Sequence, residues 1–256
     1  YLRKKQKKII KQKWIDQCLE WKARYPVVQR NYRIEKKINS FYFIDVLSKC
    51  LNNRSVIVTD MGTSFTCTMQ AFKNKDKQRL FTSSGLAAMG YGLPGAIGAC
   101  FANNQKKTIC VSGDGGMMFN IQELQTIKHH NLPIKIFLLN NNGYLTMKLS
   151  QKKNFNKYVG SDPKSGVSCP NFQSVAKSFG IESLTISKHK NLKKNILSFL
   201  KKNKPGLCQI IMPEKQPLVP RVQTKMKKDG KFYPTPIEDM YPYLSRSEYK
   251  KNIFYE

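Results

Sequence analysis

The chain has 256 residues, 45 Lys plus Arg against 16 Asp plus Glu, and a formal net charge of +29. Its hydrophobic content of 40% suffices for a core, and its length suits one large domain with appendages. No apolar run approaches the ~20 residues of a membrane span, no secretory-signal pattern is visible, and the basic residues are spread along the chain without a nucleic-acid motif, so lysine-biased composition is the expected source of the charge.

Residues 1–25 read as a Lys-rich amphipathic helix. Ile10, Trp14, Ile15, Cys18 and Trp21 fall near helical spacing, and Lys4, Lys5, Lys7, Lys8 and Lys11 lie at its start. Such a basic face suits a membrane surface. The expected role is instead the last helix of a preceding domain, left without its partner. The first residue is Tyr, so the chain is expected to be a fragment or the tail end of a longer protein. Pro26 ends the helix, and a linker runs to residue 37. Asn39 or Ser40 can cap the next helix, FYFIDVLSKCL. SVIVTD, β-branched and ending in Asp60, reads as a buried strand. Gly62, Thr63 and Ser64 follow as a tight turn with hydroxyls.

In SSGLAAMGYGLPGAIGACFA, small residues dominate Gly85–Gly90, Met89 is the large side chain singled out in that loop, and a Pro94-led helix then starts. Gly95, Ala96, Gly98 and Ala99 let that helix approach another backbone.

TICVS (Thr108–Ser112) is then followed by Gly113-Asp114-Gly115-Gly116, a helical segment, the apolar run Ile134–Leu139, and Asn140-Asn141-Asn142-Gly143-Tyr144. This is one βαβ unit of about 30 residues. Parallel strands end at one edge, so Asp114 and Asn141 converge where ligands of open α/β sheets bind. A carboxylate, an amide oxygen and a nearby backbone carbonyl suit Mg²⁺ or Ca²⁺. Gly115 and Gly116 leave N–H groups open to a phosphate. In the connecting segment, Asn120 and Glu123 form an N-x-x-E capping-box pattern, and Ile121, Leu124 and Ile127 form a face expected to pack on the sheet. His129 and His130 read as surface residues at a helix end.

Asn171 can cap the helix FQSVAKSFG, which ends at Gly180. The strand ESLTIS, a Lys-rich helix near 190–203 and the strand LCQIIMP follow. The expected strands are 55–59, 108–112, 134–139, 183–186 and 207–211, with one more near 80. The fold class is α/β: a parallel sheet of five or six strands with helices on both faces, an N-terminal helix, and an extended tail over 213–256. The seven cysteines form no CxxC pair and read as thiols of a reducing compartment, hence a cytoplasmic location.

GDG followed by NN, with 27 positions from Asp114 to Asn141, resembles the diphosphate-binding signature of thiamine diphosphate (ThDP) enzymes. The surrounding sequence is most similar to the acetolactate synthase branch and its relatives in surface-sugar pathways. The resemblance covers about 38–212 and identifies that stretch as the diphosphate- and Mg²⁺-binding domain. It implies Mg²⁺ on Asp114, the Asn141 side chain and the Gly143 carbonyl. It places Thr63, Ser64, Gly113, Gly115, Gly116 and Tyr144 around the cofactor. It makes Met89 the catalytic wedge that bends the cofactor, with the Ala87 carbonyl and the Met89 N–H facing the pyrimidine.

The implied activity is that of a carboligase or decarboxylase of a 2-oxo acid such as pyruvate. Alternatives are acyl transfer to a keto-sugar nucleotide and a non-catalytic basic binding subunit. Acetolactate synthases carry a Trp a few residues past the NN turn, whereas this chain has Ser150 there. In the family an activating Glu comes from an N-terminal domain of a neighbouring subunit, which implies a homo-oligomer, a dimer or tetramer. FAD would sit in a middle domain that this chain lacks.

Overall fold

The computed structural model describes residues 12–226 and 229–253. Ile10 and the lysines at positions 4, 5, 7, 8 and 11 lie outside them. In chain order the elements are α1 (Gln12–Arg24), α2 (Ser40–Cys50), β1 (Val56–Thr59), α3 (Thr63–Ala71), β2 (Arg79–Phe81), α4 (Gly92–Ala102), β3 (Thr108–Gly113), α5 (Asp114–Met117), α6 (Glu123–His129), β4 (Ile134–Asn140), α7 (Leu145–Phe155), α8 (Phe172–Ser178), β5 (Glu182–Ile186), α9 (Leu192–Lys201), β6 (Gly206–Ile211), β7 (Thr224–Met226), β8 (Phe232–Pro234) and α10 (Arg246–Asn252).

Six strands form one parallel sheet in the order β2-β1-β3-β4-β6-β5. Successive side chains point to opposite faces. On one face Ile57, Ile109, Val111, Phe137, Leu139 and Ile210 share a core with residues of α2, α3 and α9. On the other, Val58, Cys110, Ile136, Leu138 and Leu207 meet α4, α6 and α8. Helices on both sides explain why the strands read as unbroken apolar runs. Phe137 anchors the first face, with ring centroids 5.6 Å from Phe43 and 5.3 Å from Phe199. Truncating such a ring typically costs about 3–5 kcal/mol.

The Asn39 side chain caps α2 by accepting from the Phe41 N–H at 3.0 Å. Asn171 caps α8 in the same way, accepting from Gln173 and Ser174. α4 starts at Gly92, two residues before Pro94.

The stretch between β3 and β4 departs from expectation. It is two helices, α5 and α6, separated at 118–122. The capping box does not form: the Glu123 N–H donates to the Asn120 backbone carbonyl at 3.0 Å, Asn120 Oδ1 accepts from Gln122 Nε2 at 3.2 Å, and Asn120 Nδ2 donates to the Gly90 carbonyl at 3.0 Å. Leu124 and Ile127 are fully buried, as their spacing requires, and His129 and His130 are exposed.

The tail holds the antiparallel pair β7–β8 and the helix α10. Arg246 grips Asp239 with two bonds of 2.9 Å. At the end of α1, Trp21 Nε1 donates to Asn252 Oδ1 at 3.0 Å, and Tyr25 Oη to Glu248 at 2.5 Å, while Trp14, Ile15 and Leu19 stay exposed. No helix among the described residues is long and apolar enough to cross a membrane, and all seven cysteines are free thiols.

Candidate functional site

β1 leads to β2 on one side, while β3 leads to β4 on the other. The chain therefore leaves the adjacent strands β1 and β3 in opposite directions, and a crevice opens beyond their carboxyl ends. A cavity of about 60 Å³ sits there. Its walls are Met61, Gly62 and Thr63 after β1, Met89, Gly113–Gly116 after β3, and Asn141 with Gly143–Met147 after β4.

Asp114 is 1% exposed. Its Oδ1 accepts from the Gly115 N–H at 2.9 Å and its Oδ2 from the Gly143 N–H at 3.0 Å. Burial pushes its pKa up, and the Gly143 and Gly115 amides oppose that shift. Among the described residues Asp114 forms no ion pair. Asn141, also buried, directs Nδ2 toward Thr63 Oγ1 at 3.5 Å, while its Oδ1 is buried without a hydrogen-bond partner. An unpaired amide oxygen beside an uncompensated carboxylate is costly unless a cation completes it. Among the described residues no group of three or more His, Cys, Asp or Glu side chains could hold a metal ion. A cation at this cleft would thus be completed by amide and backbone oxygens, phosphate and water, a hard-oxygen set suited to Mg²⁺.

Local backbone builds the turn after β4. Asn140 Oδ1 accepts from the Asn142 N–H at 3.0 Å, and Asn142 (φ +62°) and Gly143 (φ +128°) carry the chain through the left-handed region. A Cβ on Gly143 would stand 2.4 Å from the Ser161 carbonyl oxygen. The Tyr144 ring lies directly on Gly115, where an added Cβ would meet Cε1 at 2.2 Å.

The cleft thus gathers Thr63, Met89, Gly113, Asp114, Gly115, Gly116, Asn141, Gly143 and Tyr144. It does not gather Ser64, whose buried hydroxyl donates to the Met61 carbonyl at 2.9 Å. Nor does it gather Ala87, which is exposed at φ +54° and donates its N–H to Ser83. Leu145, Thr146 and Met147 were not expected in the wall; nothing in their residue types marks them.

Asp60 was read only as a strand end. It is fully buried beneath the cleft, its Oδ1 accepting from the Met61 and Gly90 N–H groups at 2.8 and 3.0 Å and its Oδ2 from Ser112 Oγ at 2.8 Å. Burial raises its pKa, against the pull of those donors. A carboxylate closing one β-branched strand, in parallel register with the strand that ends at Asp114, was the available signal.

Residues 60–210 match the family described as "Thiamine pyrophosphate enzyme, C-terminal TPP binding domain". The chain is 32% identical over 215 residues to acetolactate synthase 3, chloroplastic, of Brassica napus, covering 82% of this chain and 32% of that protein. It is 30% identical over 185 residues to the acetolactate synthase isozyme 1 large subunit of Escherichia coli (strain K12), covering 72% and 33%. The chain spans about a third of the length of these relatives. The fold is similar to that of the thiamine diphosphate-dependent 4-hydroxybenzoylformate decarboxylase of Rhodococcus jostii RHA1, with a TM-score of 0.62 and 19% identity over 70% of this chain and 33% of that one.

Proposed function

The chain belongs to the thiamine pyrophosphate enzymes, as the C-terminal TPP-binding domain of an acetolactate synthase-like member, and on that premise we propose that it supplies the diphosphate-and-metal half of a site acting on a 2-oxo acid. The domain's cofactor is thiamine diphosphate, and Mg²⁺ is the family's usual partner metal. The observation that carries the assignment of residues is the unpartnered, buried Asn141 Oδ1 beside the buried Asp114 carboxylate. Asp114, Asn141 Oδ1 and the Gly143 carbonyl would hold Mg²⁺. The Gly115 and Gly116 backbone and the Thr63 hydroxyl would meet the diphosphate. Met89, at the mouth of the cleft, would support the bend between the cofactor's rings.

Bound thiamine diphosphate supplies the nucleophilic carbon at which a 2-oxo acid is decarboxylated and its acyl group passed on. The chain's own residues bind the cofactor, fix its shape and exclude water. An acid facing the pyrimidine is still needed. Glu123 opens α6, and Glu182 pairs with Lys202 at the far end of β5. We assign that role to a Glu on an N-terminal domain of a neighbouring subunit, in a homo-oligomer. Ser150 is exposed on α7, where a Trp would narrow the acceptor pocket. That favours acyl transfer to a bulky acceptor such as a keto-sugar nucleotide as a second reading beside condensation with another 2-oxo acid. The intact Asp114 and Asn141 pair argues against a non-catalytic basic subunit.

Calorimetric titration of the protein with thiamine diphosphate, with and without Mg²⁺, tests the assignment. Metal-dependent binding, lost in Asp114→Ala and weakened at least about tenfold in Asn141→Ala, is expected; each decade corresponds to about 1.4 kcal/mol. Binding that ignores Mg²⁺, or survives Asp114→Ala unchanged, would overturn it.

A further inference from the structure

Gly90 is held from both sides by side chains that the cofactor assignment does not use. Its N–H donates to Asp60 Oδ1 at 3.0 Å, and its carbonyl accepts from Asn120 Nδ2 at 3.0 Å. The first bond fixes the Met89–Gly90 peptide plane, and the second fixes the Gly90–Tyr91 plane. Only the two dihedrals of Gly90 lie between them. Gly90 sits at φ +88°, and an added Cβ would stand 2.6 Å from Phe119 Cβ, so the close approach admits glycine alone.

The residues before it, 84–89, are exposed, Leu86 to 91%. An exposed loop places a side chain reproducibly only where its backbone is anchored, and here the anchor lies one residue after Met89. Asp60 is itself buried and held at both oxygens: Met61 N–H and Ser112 Oγ bind them and join the ends of β1 and β3. Asn120 stands in the break between α5 and α6, where its Oδ1 accepts from Gln122 Nε2 at 3.2 Å and its Nδ2 reaches Gly90.

We infer that Asp60 and Asn120 are positioning residues: they clamp Gly90 and so hold Met89 in the orientation that shapes the bound cofactor. The inference rests on the reading of the cleft as the thiamine diphosphate site with Met89 at its mouth.

The test loads the protein with thiamine diphosphate and Mg²⁺ and measures two quantities, the dissociation constant and the induced circular dichroism of the bound cofactor. Asn120→Asp keeps the shape of the side chain and removes the donor to Gly90. It is expected to lower the induced signal at least twofold while the dissociation constant stays within threefold, since Asp114 and Asn141 are untouched. Met89→Ala is expected to lower the signal per bound cofactor as well, and the double variant to show no lower signal than Met89→Ala alone. A purely structural role would instead move affinity and thermal stability together and leave the signal per bound cofactor unchanged, which would overturn the inference. So would a full signal in Asn120→Asp when Met89→Ala loses it. Absence of metal-dependent binding in the unsubstituted protein, or an unchanged signal in Met89→Ala, would overturn the reading of the site and the clamp with it. Asp60→Asn, which risks the fold, serves only as a second arm expected to match Asn120→Asp where it folds.

Discussion

The Gly143 amide donates to Asp114 Oδ2 at 3.0 Å, so the turn after β4 is fastened to the turn after β3 by the carboxylate assigned to the metal. One side chain thereby sets both the ligand geometry and the distance between two loops. The same arrangement makes the glycine indispensable.

Gly143→Ala is expected to destabilise the protein by about 2 kcal/mol or more. The positive φ and the 2.4 Å approach to the Ser161 carbonyl act together, and each is of the order of 1–3 kcal/mol. Urea unfolding measures the loss, and metal-dependent cofactor binding should fall with it.

Gly115→Ala forces the Tyr144 ring off the turn. We expect a cost of about 1–3 kcal/mol, largely relieved when Tyr144→Ala is added. The coupling in the double-mutant cycle should be at least about 1 kcal/mol; additive effects would mean that the ring is not the obstacle.

Lys135 is buried in β4 with its ammonium 4.6 Å from the Phe199 ring centroid. Burial first, and Lys107 second, push its pKa down to about 8. An unfolded Lys titrates near 10.4, so below pH 8 the fold carries a charge that it disfavours, and stability from this site recovers as pH rises from about 8 to 10. Lys135→Met is expected to stabilise by about 1–3 kcal/mol at pH 7. That advantage should close by about pH 10 in urea titrations run across the window.

Asp45 has the opposite sign. It is buried on α2, with Lys49 Nζ at 2.6 Å and Lys73 Nζ at 2.9 Å. Burial pushes its pKa up, but the two ammonium groups outweigh burial and hold it below the usual carboxylate range. Its contribution is present above the unfolded pKa of about 3.9 and is lost as pH falls through the lower folded value. Replacing both lysines by Met should cost about 1–3 kcal/mol at pH 6, discounted for their exposed ammonium groups. The difference from the parent should shrink as pH falls through that lowered folded value and close once Asp45 is protonated in both states; a gap persisting there would assign the loss to packing.

The sheet was legible because each strand is a short apolar run closed by a turn residue, and both faces are covered. Asp114 and Asn141 were legible from spacing, since consecutive parallel strands deliver them to one edge. What escaped was long-range. Asn120 fits a local capping pattern with Glu123 but bonds to Gly90, thirty residues earlier. Asp60 serves three segments at once, and no window of sequence contains them. Trp21 finds Asn252 at the other end of the chain, a hydrogen bond that the periodicity of α1 does not show. Ser64 was selected for its hydroxyl, yet the first turn of α3 directs that hydroxyl to the Met61 carbonyl.

The strand order also has a consequence for a chain emerging from the ribosome. Every residue lining the cleft lies between 61 and 147, and β1, β3 and β4, which position most of them, pair side by side. The walls of this cleft can therefore all be synthesised before β5 and β6 exist. At that stage β4, with Ile134 to Leu139 buried in the finished fold, presents a bare hydrogen-bonding edge until residues 206–211 arrive. The interval between completing the cleft and covering that edge is when the nascent protein is most exposed to strand-to-strand aggregation.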